Sequence, residues 1–217
     1  MDIQSLHRWD LTPGEARHIQ LEMAEMVTGG PLPQLKTVLG IDVSYQRSTG
    51  RFIAAGILLT IPEFKKILSL RHEGKTMFPY IPGLLSFREV PPLLPVLRRM
   101  PPPDAIIVDG QGIAHPRGLG LASHIGILTG IPTIGCAKSR LVGEHRDPGY
   151  RVGGYEPLTI RERLVGYVVR SKKGCRPIYI SPGHLLDPED ALKGTMMCLE
   201  GYRLPEPTRL AHKLTRE

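Results

Sequence analysis

Two short apolar runs constrain the fold more than any other feature of the chain. They are AIIV at 105–108 and IPTIGCA at 131–137, and a helix-length segment separates them. Continuous apolar runs of this length mark strands buried on both faces. Between them, LGLASHIGILTG predicts a helix with Gly130 just past its end. Two buried strands joined by a helix form a βαβ unit with parallel strands and a right-handed crossover. Such a unit needs a sheet with helices on both faces.

The N-terminal half follows another rhythm. TVLGIDVSY, RFIAAGILLT and KKILSLRH are strand-like and are joined by the short turns QRSTG and IPEF. Strands joined this closely predict an antiparallel meander. RLVGYVVRS and RPIYISPGH are later strand-like pieces. A first helix opens with Pro13 behind a Thr12–Glu15 capping box, and Gly29-Gly30 ends it. Another spans about 87 to 100, with Val90, Leu93, Leu94 and Leu97 on one face. Ser86 and Glu89 form a capping box for it, whereas Pro91, Pro92 and Pro95 argue for a later or irregular start. Asp187 caps a helix that begins at Pro188, and EPTRLAHKL is a final short one. The expectation is one α/β domain over residues 1–217, a length that suits a single sizeable core. Its mixed sheet has antiparallel front strands merging into parallel back strands, with helices on both faces.

Charge narrows the partners. Lys plus Arg number 28 against 21 acids, a net +7 that favours polyanions, nucleic acid before anionic membrane. Cys136, Cys175 and Cys198 fit neither a disulfide framework nor zinc spacing, which places the chain in the reducing cytoplasm. The N-terminal residues lack the apolar core of a secretory signal, and no apolar run nears the roughly 20 residues of a membrane span. GLGLASHIG has no Walker lysine, so it is not a nucleotide phosphate loop. Ser123 and His124 are adjacent on a helix and point different ways, so they imply no serine triad.

Asp42 stands inside a strand, on the face of Gly40 and Ser44 and opposite Leu39, Ile41 and Val43. A carboxylate there is costly unless paired or metal-bound. It either meets an arginine or a turn, or it holds a metal. Asp109 ends the AIIVD run, where ligand sites of open α/β sheets lie, and the polar, glycine-rich GQGIAHPRG loop follows it. It is otherwise a cap or turn former. Glu89 is either the partner of Ser86 in the capping box or a third acidic ligand. Two Asp and one Glu are hard oxygen donors that suit Mg²⁺ or Mn²⁺, as in metal-assisted phosphodiester hydrolysis.

The blocks GIDVSY, PYIPGLLSFRE, DAIIVDGQGIAHPRGLGLASHIG, IPTIGCAKSRL and PTRLAHKL, in this order from about residue 10 to 214, resemble endonuclease V. The resemblance implies a ribonuclease H-like fold, Mg²⁺ dependence with Mn²⁺ as substitute, and repair of deaminated adenine. Hydrolysis falls at the second phosphodiester bond 3′ to deoxyinosine and leaves a 5′-phosphate and a 3′-hydroxyl. It assigns Asp42, Glu89 and Asp109 to the metal site, with His212 supporting metal and water.

Other roles follow from the same resemblance. Lys138, otherwise a rim charge, and His115, otherwise a turn histidine before Pro116, lie near the scissile phosphate. Tyr80 and Ile81, stiffened by Pro79 and Pro82, form a wedge between bases rather than a turn packed on the core. Backbone near Gly83, Leu85, Gly112 and Leu121 forms a pocket for the extruded base. Arg88, Arg140, Arg170, Lys172, Lys173 and Arg176 are candidate phosphate contacts. The expected partner is DNA containing deoxyinosine, bound by a monomer with no membrane involved. Inosine-containing RNA, or the substrate of another ribonuclease H-like nuclease, is the alternative.

Overall fold

A computed structural model describes residues 1–46, 49–76 and 78–217. Arg47 and Ser48 of the QRSTG turn and Met77 of the loop before α2 lie outside the described residues. In chain order the elements are α1 (Pro13–Ala24), β1 (Thr37–Tyr45), β2 (Arg51–Thr60), β3 (Lys66–Lys75), α2 (Leu85–Arg99), β4 (Ala105–Val108), α3 (Leu121–Thr129), β5 (Thr133–Ala137), β6 (Tyr155–Ile160), β7 (Arg163–Val169), β8 (Ile178–His184), α4 (Pro188–Met196) and α5 (Glu206–Leu214). The strands form one sheet of order β3-β2-β1-β4-β5-β8-β7-β6.

The meander holds, because β1 pairs β2 and β2 pairs β3 antiparallel. So does the βαβ unit: β4 and β5 are parallel, and β4 is parallel to β1. This is the ribonuclease H-like arrangement, a mixed α/β sheet. The parallel part stops at β5, and β8, β7 and β6 return antiparallel. β6 goes beyond the sequence reading; YEPLTI carries Pro157, and it lies on the sheet edge, where a missing N–H is tolerated.

Period-two alternation divides the core. Leu39, Ile41, Ile106 and Val108 pack under α2 and α3. Val38, Ala105, Ile107 and Ile134 face the α4 side. Ile57 and Leu59 meet Ala211 of α5. Helices therefore cover both faces.

Helix ends follow local chemistry in part. Thr12 and Glu15 form the capping box. Gly130 takes a left-handed φ of 63° after α3. α1 ends at Ala24, well before Gly29-Gly30. α4 starts at Pro188, yet the Asp187 side chain makes no cap bond. α2 begins at Leu85, so Ser86 is already helical and the Ser86–Glu89 capping box does not form. Pro91, Pro92 and Pro95 lie inside this helix. Pro92 has no N–H for the carbonyl four residues before it, and the Tyr45 hydroxyl donates to that Arg88 carbonyl at 2.9 Å.

Candidate active site

The β1–β4 register builds the acidic centre. Ile41 pairs with Val108, so one residue further the same register sets Asp42 beside Asp109. Alternation points Asp42 to the face of Gly40, where α5 lies. A Cβ on Gly40 would collide with the Pro207 carbonyl, so glycine permits this close approach. α5 delivers His212, whose Nδ1 donates to Asp42 Oδ2 at 2.8 Å. The Thr215 hydroxyl donates to the same oxygen at 3.3 Å. Ligand atoms of Asp42, Asp109 and His212 all lie within 4.8 Å of one another, so these residues can hold a metal ion.

Two charged groups border this cluster. Lys138, just past β5, donates to Asp109 Oδ2. Burial still pushes the Asp109 carboxyl above its ordinary value, although Lys138 opposes the shift. Glu89 projects from α2 and stands outside the closest ligand set. Burial and the charges of Asp42 and Asp109 hold its carboxyl well above the usual range. Three mutually repelling carboxyls with one lysine beside them form a donor set that a divalent cation would neutralise. Among the described residues, neither aspartate is paired with an arginine.

The 78–85 loop forms a second feature. Phe78 and Leu84 are buried with Phe87 and anchor its two ends. Tyr80 between them is 70% exposed, so its ring is not packed on the core. Gly83 has φ 79°, which favours glycine. Its carbonyl accepts from Gln20 Nε2 at 3.0 Å, Arg117 at 2.6 Å and His115 Nε2 at 3.1 Å. His115 Nδ1 accepts the Arg117 N–H at 3.2 Å, so both ring nitrogens serve protein contacts. Burial, with Arg117 nearby, lowers the His115 pKa to about 4. His115 thus ties two loops together, and no ring nitrogen is left for a phosphate.

A cavity of about 120 Å³ opens behind this loop. Tyr80, Ile81, Pro82, Gly83, Leu85 and Leu121 line it, with His115, Ser86 and Gln111. Gly112 does not. Its N–H donates to Ser181 Oγ at 2.8 Å and its carbonyl accepts from Gly120 at 3.0 Å. A Cβ on Gly112 would strike the Pro182 carbonyl, so this glycine serves packing.

Of the expected cationic track, Arg140, Lys172, Lys173 and Arg176 are exposed. Arg170 instead donates to Gly149 O at 2.7 Å and Cys175 O at 2.6 Å, and Arg88 donates to Phe78 O at 2.5 Å. Both guanidinium groups hold loops. Sequence reasoning missed Thr215, Gln20 and Arg117, because only the fold brings them to the site. Gln111 and Ser86 stood inside quoted motifs but were given no role in the site itself.

Comparison with known proteins agrees with this arrangement. The family model for Endonuclease V matches residues 20–213. An Endonuclease V from Dehalococcoides mccartyi is 46% identical over 212 residues, 97% of this chain and 95% of that protein. The crystal structure of Endonuclease V from Streptomyces avermitilis superposes with a TM-score of 0.89 at 38% identity, spanning 100% of this chain and 96% of that one. Ciona intestinalis Endonuclease V, solved with a 24mer DNA containing an inosine followed by a ribo-adenosine, matches with a TM-score of 0.79 at 26% identity over 94% of this chain and 95% of its own. The two central-strand aspartates, the helix closing over them and this agreement along nearly the whole length lead to one conclusion: the chain belongs to the Endonuclease V family.

Proposed function

We propose that this nuclease cleaves DNA at the second phosphodiester bond 3′ to deoxyinosine, leaving a 5′-phosphate and a 3′-hydroxyl. The observation that carries this reading is the convergence of Asp42, Asp109 and His212 beside Lys138. Asp42, Asp109 and His212 would hold Mg²⁺, or Mn²⁺ in its place, with Glu89 as a further carboxyl at the rim. When bound, the cation supplies Lewis acidity toward the phosphate and a water of lowered pKa. Lys138 brings a fixed positive charge against the phosphate. His212 and Thr215 keep Asp42 in one orientation. The exposed Tyr80, with Ile81 and Pro82, enters the base stack as a wedge, and the cavity behind Gly83 and Leu85 accepts the extruded base. Leu85 and Ser86, in the first turn of α2, line that cavity. One copy supplies every group named, which fits a monomeric enzyme of the cytoplasm, where its three free cysteines stay reduced.

The test is a labelled duplex with one deoxyinosine, incubated with and without Mg²⁺, with the cut position mapped. Mg²⁺-dependent nicking one nucleotide beyond the lesion's own 3′ bond supports the reading. Cutting in EDTA, or equal cutting of an unmodified duplex, refutes it. A parallel arm places inosine in RNA. The inosine–ribo-adenosine step bound by the Ciona relative motivates that arm.

A further inference from the structure

Two residues that line the cavity behind the 78–85 loop each carry a buried polar atom with no partner among the described residues: the Ser86 hydroxyl and Gln111 Oε1. Ser86 is 2% exposed and Gln111 8%. A buried polar atom left unpaired is costly, and a ligand that completes its bond recovers that cost. The other unpartnered atoms, such as Arg71 Nε, Ser123 Oγ and Thr133 Oγ1, belong to residues away from this cavity. The two orphans therefore belong to residues that line one chamber.

Their chemistry is unequal. Gln111 Nε2 donates to the Ser139 carbonyl at 3.0 Å, which fixes the amide and leaves Oε1 as an acceptor only. The Ser86 hydroxyl rotates and can donate or accept. We propose that Gln111 Oε1 and Ser86 Oγ are specificity-determining side chains that read a base edge carrying a ring N–H beside a carbonyl. In hypoxanthine, Oε1 accepts the N1–H and the serine hydroxyl donates to O6. This inference rests on the cavity being the pocket for an extruded base. Adenine reverses the edge, with a bare N1 and an amine. Serine adapts by turning its hydroxyl. Gln111 cannot, because flipping its amide would set Oε1 against the Ser139 carbonyl. Gln111 therefore rejects adenine, and Ser86 adds affinity for the carbonyl.

Single-turnover cleavage of three duplexes tests the proposal. They differ at one nucleotide: deoxyinosine, deoxyadenosine, or the unsubstituted purine deoxynucleoside, which lacks both N1–H and O6. Wild type should lose roughly 10- to 100-fold between deoxyinosine and the unsubstituted purine. Ser86→Ala and Gln111→Met should each lose roughly tenfold on deoxyinosine and far less on the unsubstituted purine, so the enzyme and substrate losses do not add. Gln111→Met should also narrow the preference for deoxyinosine over deoxyadenosine. Ser86→Ala should melt no lower than wild type, because its hydroxyl has no partner among the described residues to lose. Variants that lose the same factor on all three duplexes, or nothing on any, overturn the proposal while deoxyinosine cutting by wild type keeps the functional reading. A wild-type enzyme that leaves deoxyinosine uncut overturns both.

Discussion

Asp42 and Asp109 are almost enclosed, at 9% and 12% side-chain exposure, yet among the described residues neither is balanced by an arginine. Residues arranged for stability alone would pair such carboxylates fully or be apolar. Asp42→Asn or Asp109→Asn should therefore lower single-turnover cleavage by roughly 10³-fold. Affinity for a deoxyinosine duplex in EDTA should change only a few-fold; undiminished cleavage by either variant would remove the metal mechanism. Tyr80 makes the opposite case. Its exposed ring contributes little to the core, so Tyr80→Ala should shift unfolding free energy by less than about 0.5 kcal/mol. The same variant should lose preference for deoxyinosine over undamaged duplex, measured by competition cleavage. An unchanged preference would count against the wedge.

At the scale of elements, the site depends on how closely α5 lies on β1. Gly40→Ala would drive a methyl group into the Pro207 carbonyl and lift the helix that carries His212 from the strand that carries Asp42. The expected cost is at least roughly 1–3 kcal/mol, the range for overpacking, because backbone cannot turn aside as a side chain can. Thermal melting with a cleavage assay checks it; full activity with an unchanged melt would show that the approach is not needed. α2 illustrates a limit of local rules. Its three prolines argued for a later start, yet the helix runs through them, and Tyr45 supplies a hydrogen bond that one of them removes. The apolar face was legible from spacing. The true start was not, because Leu84, Phe78 and Phe87 pack together and decide where the chain turns into the helix.

At the scale of the molecule, burial leaves two histidines neutral. His115 is lowered to about 4 and His124 to about 3, the latter by complete burial with His7 beside it. The unfolded chain takes up these protons near pH 6.5. Stability from both groups is therefore complete above pH 6.5 and is lost as pH falls toward 4 and then 3. Each contributes a slope of about 1.4 kcal/mol per pH unit within its window. His124→Gln should flatten the slope of melting temperature against pH below 6.5; an unaltered slope would exclude His124 as a source. Nucleic-acid affinity is the second global property. The exposed Lys173 and Arg176 should each account for about one phosphate contact, so replacing both by Ala should reduce the salt slope by about 2. Arg170→Ala should instead lower stability, because its guanidinium holds Gly149 and Cys175. A steep melt loss in the double variant, or an unchanged slope, would reject that division.

The amino-acid sequence by itself determined the alternation of buried strands and helices, the helix starts at Pro13 and Pro188, the face on which Asp42 stands and the strand end that Asp109 occupies. These depend on neighbours a few residues apart, through periodicity, capping and the pleat. The tertiary structure alone decided the register that sets Asp42 beside Asp109, the return of β8, β7 and β6 as antiparallel strands, and the place of His212 in the closest ligand set with Glu89 outside it. It also decided that His115 ties loops and that Ser86 and Gln111 line one cavity. Such placements are set by packing among segments far apart in the chain, for which local periodicity carries no signal.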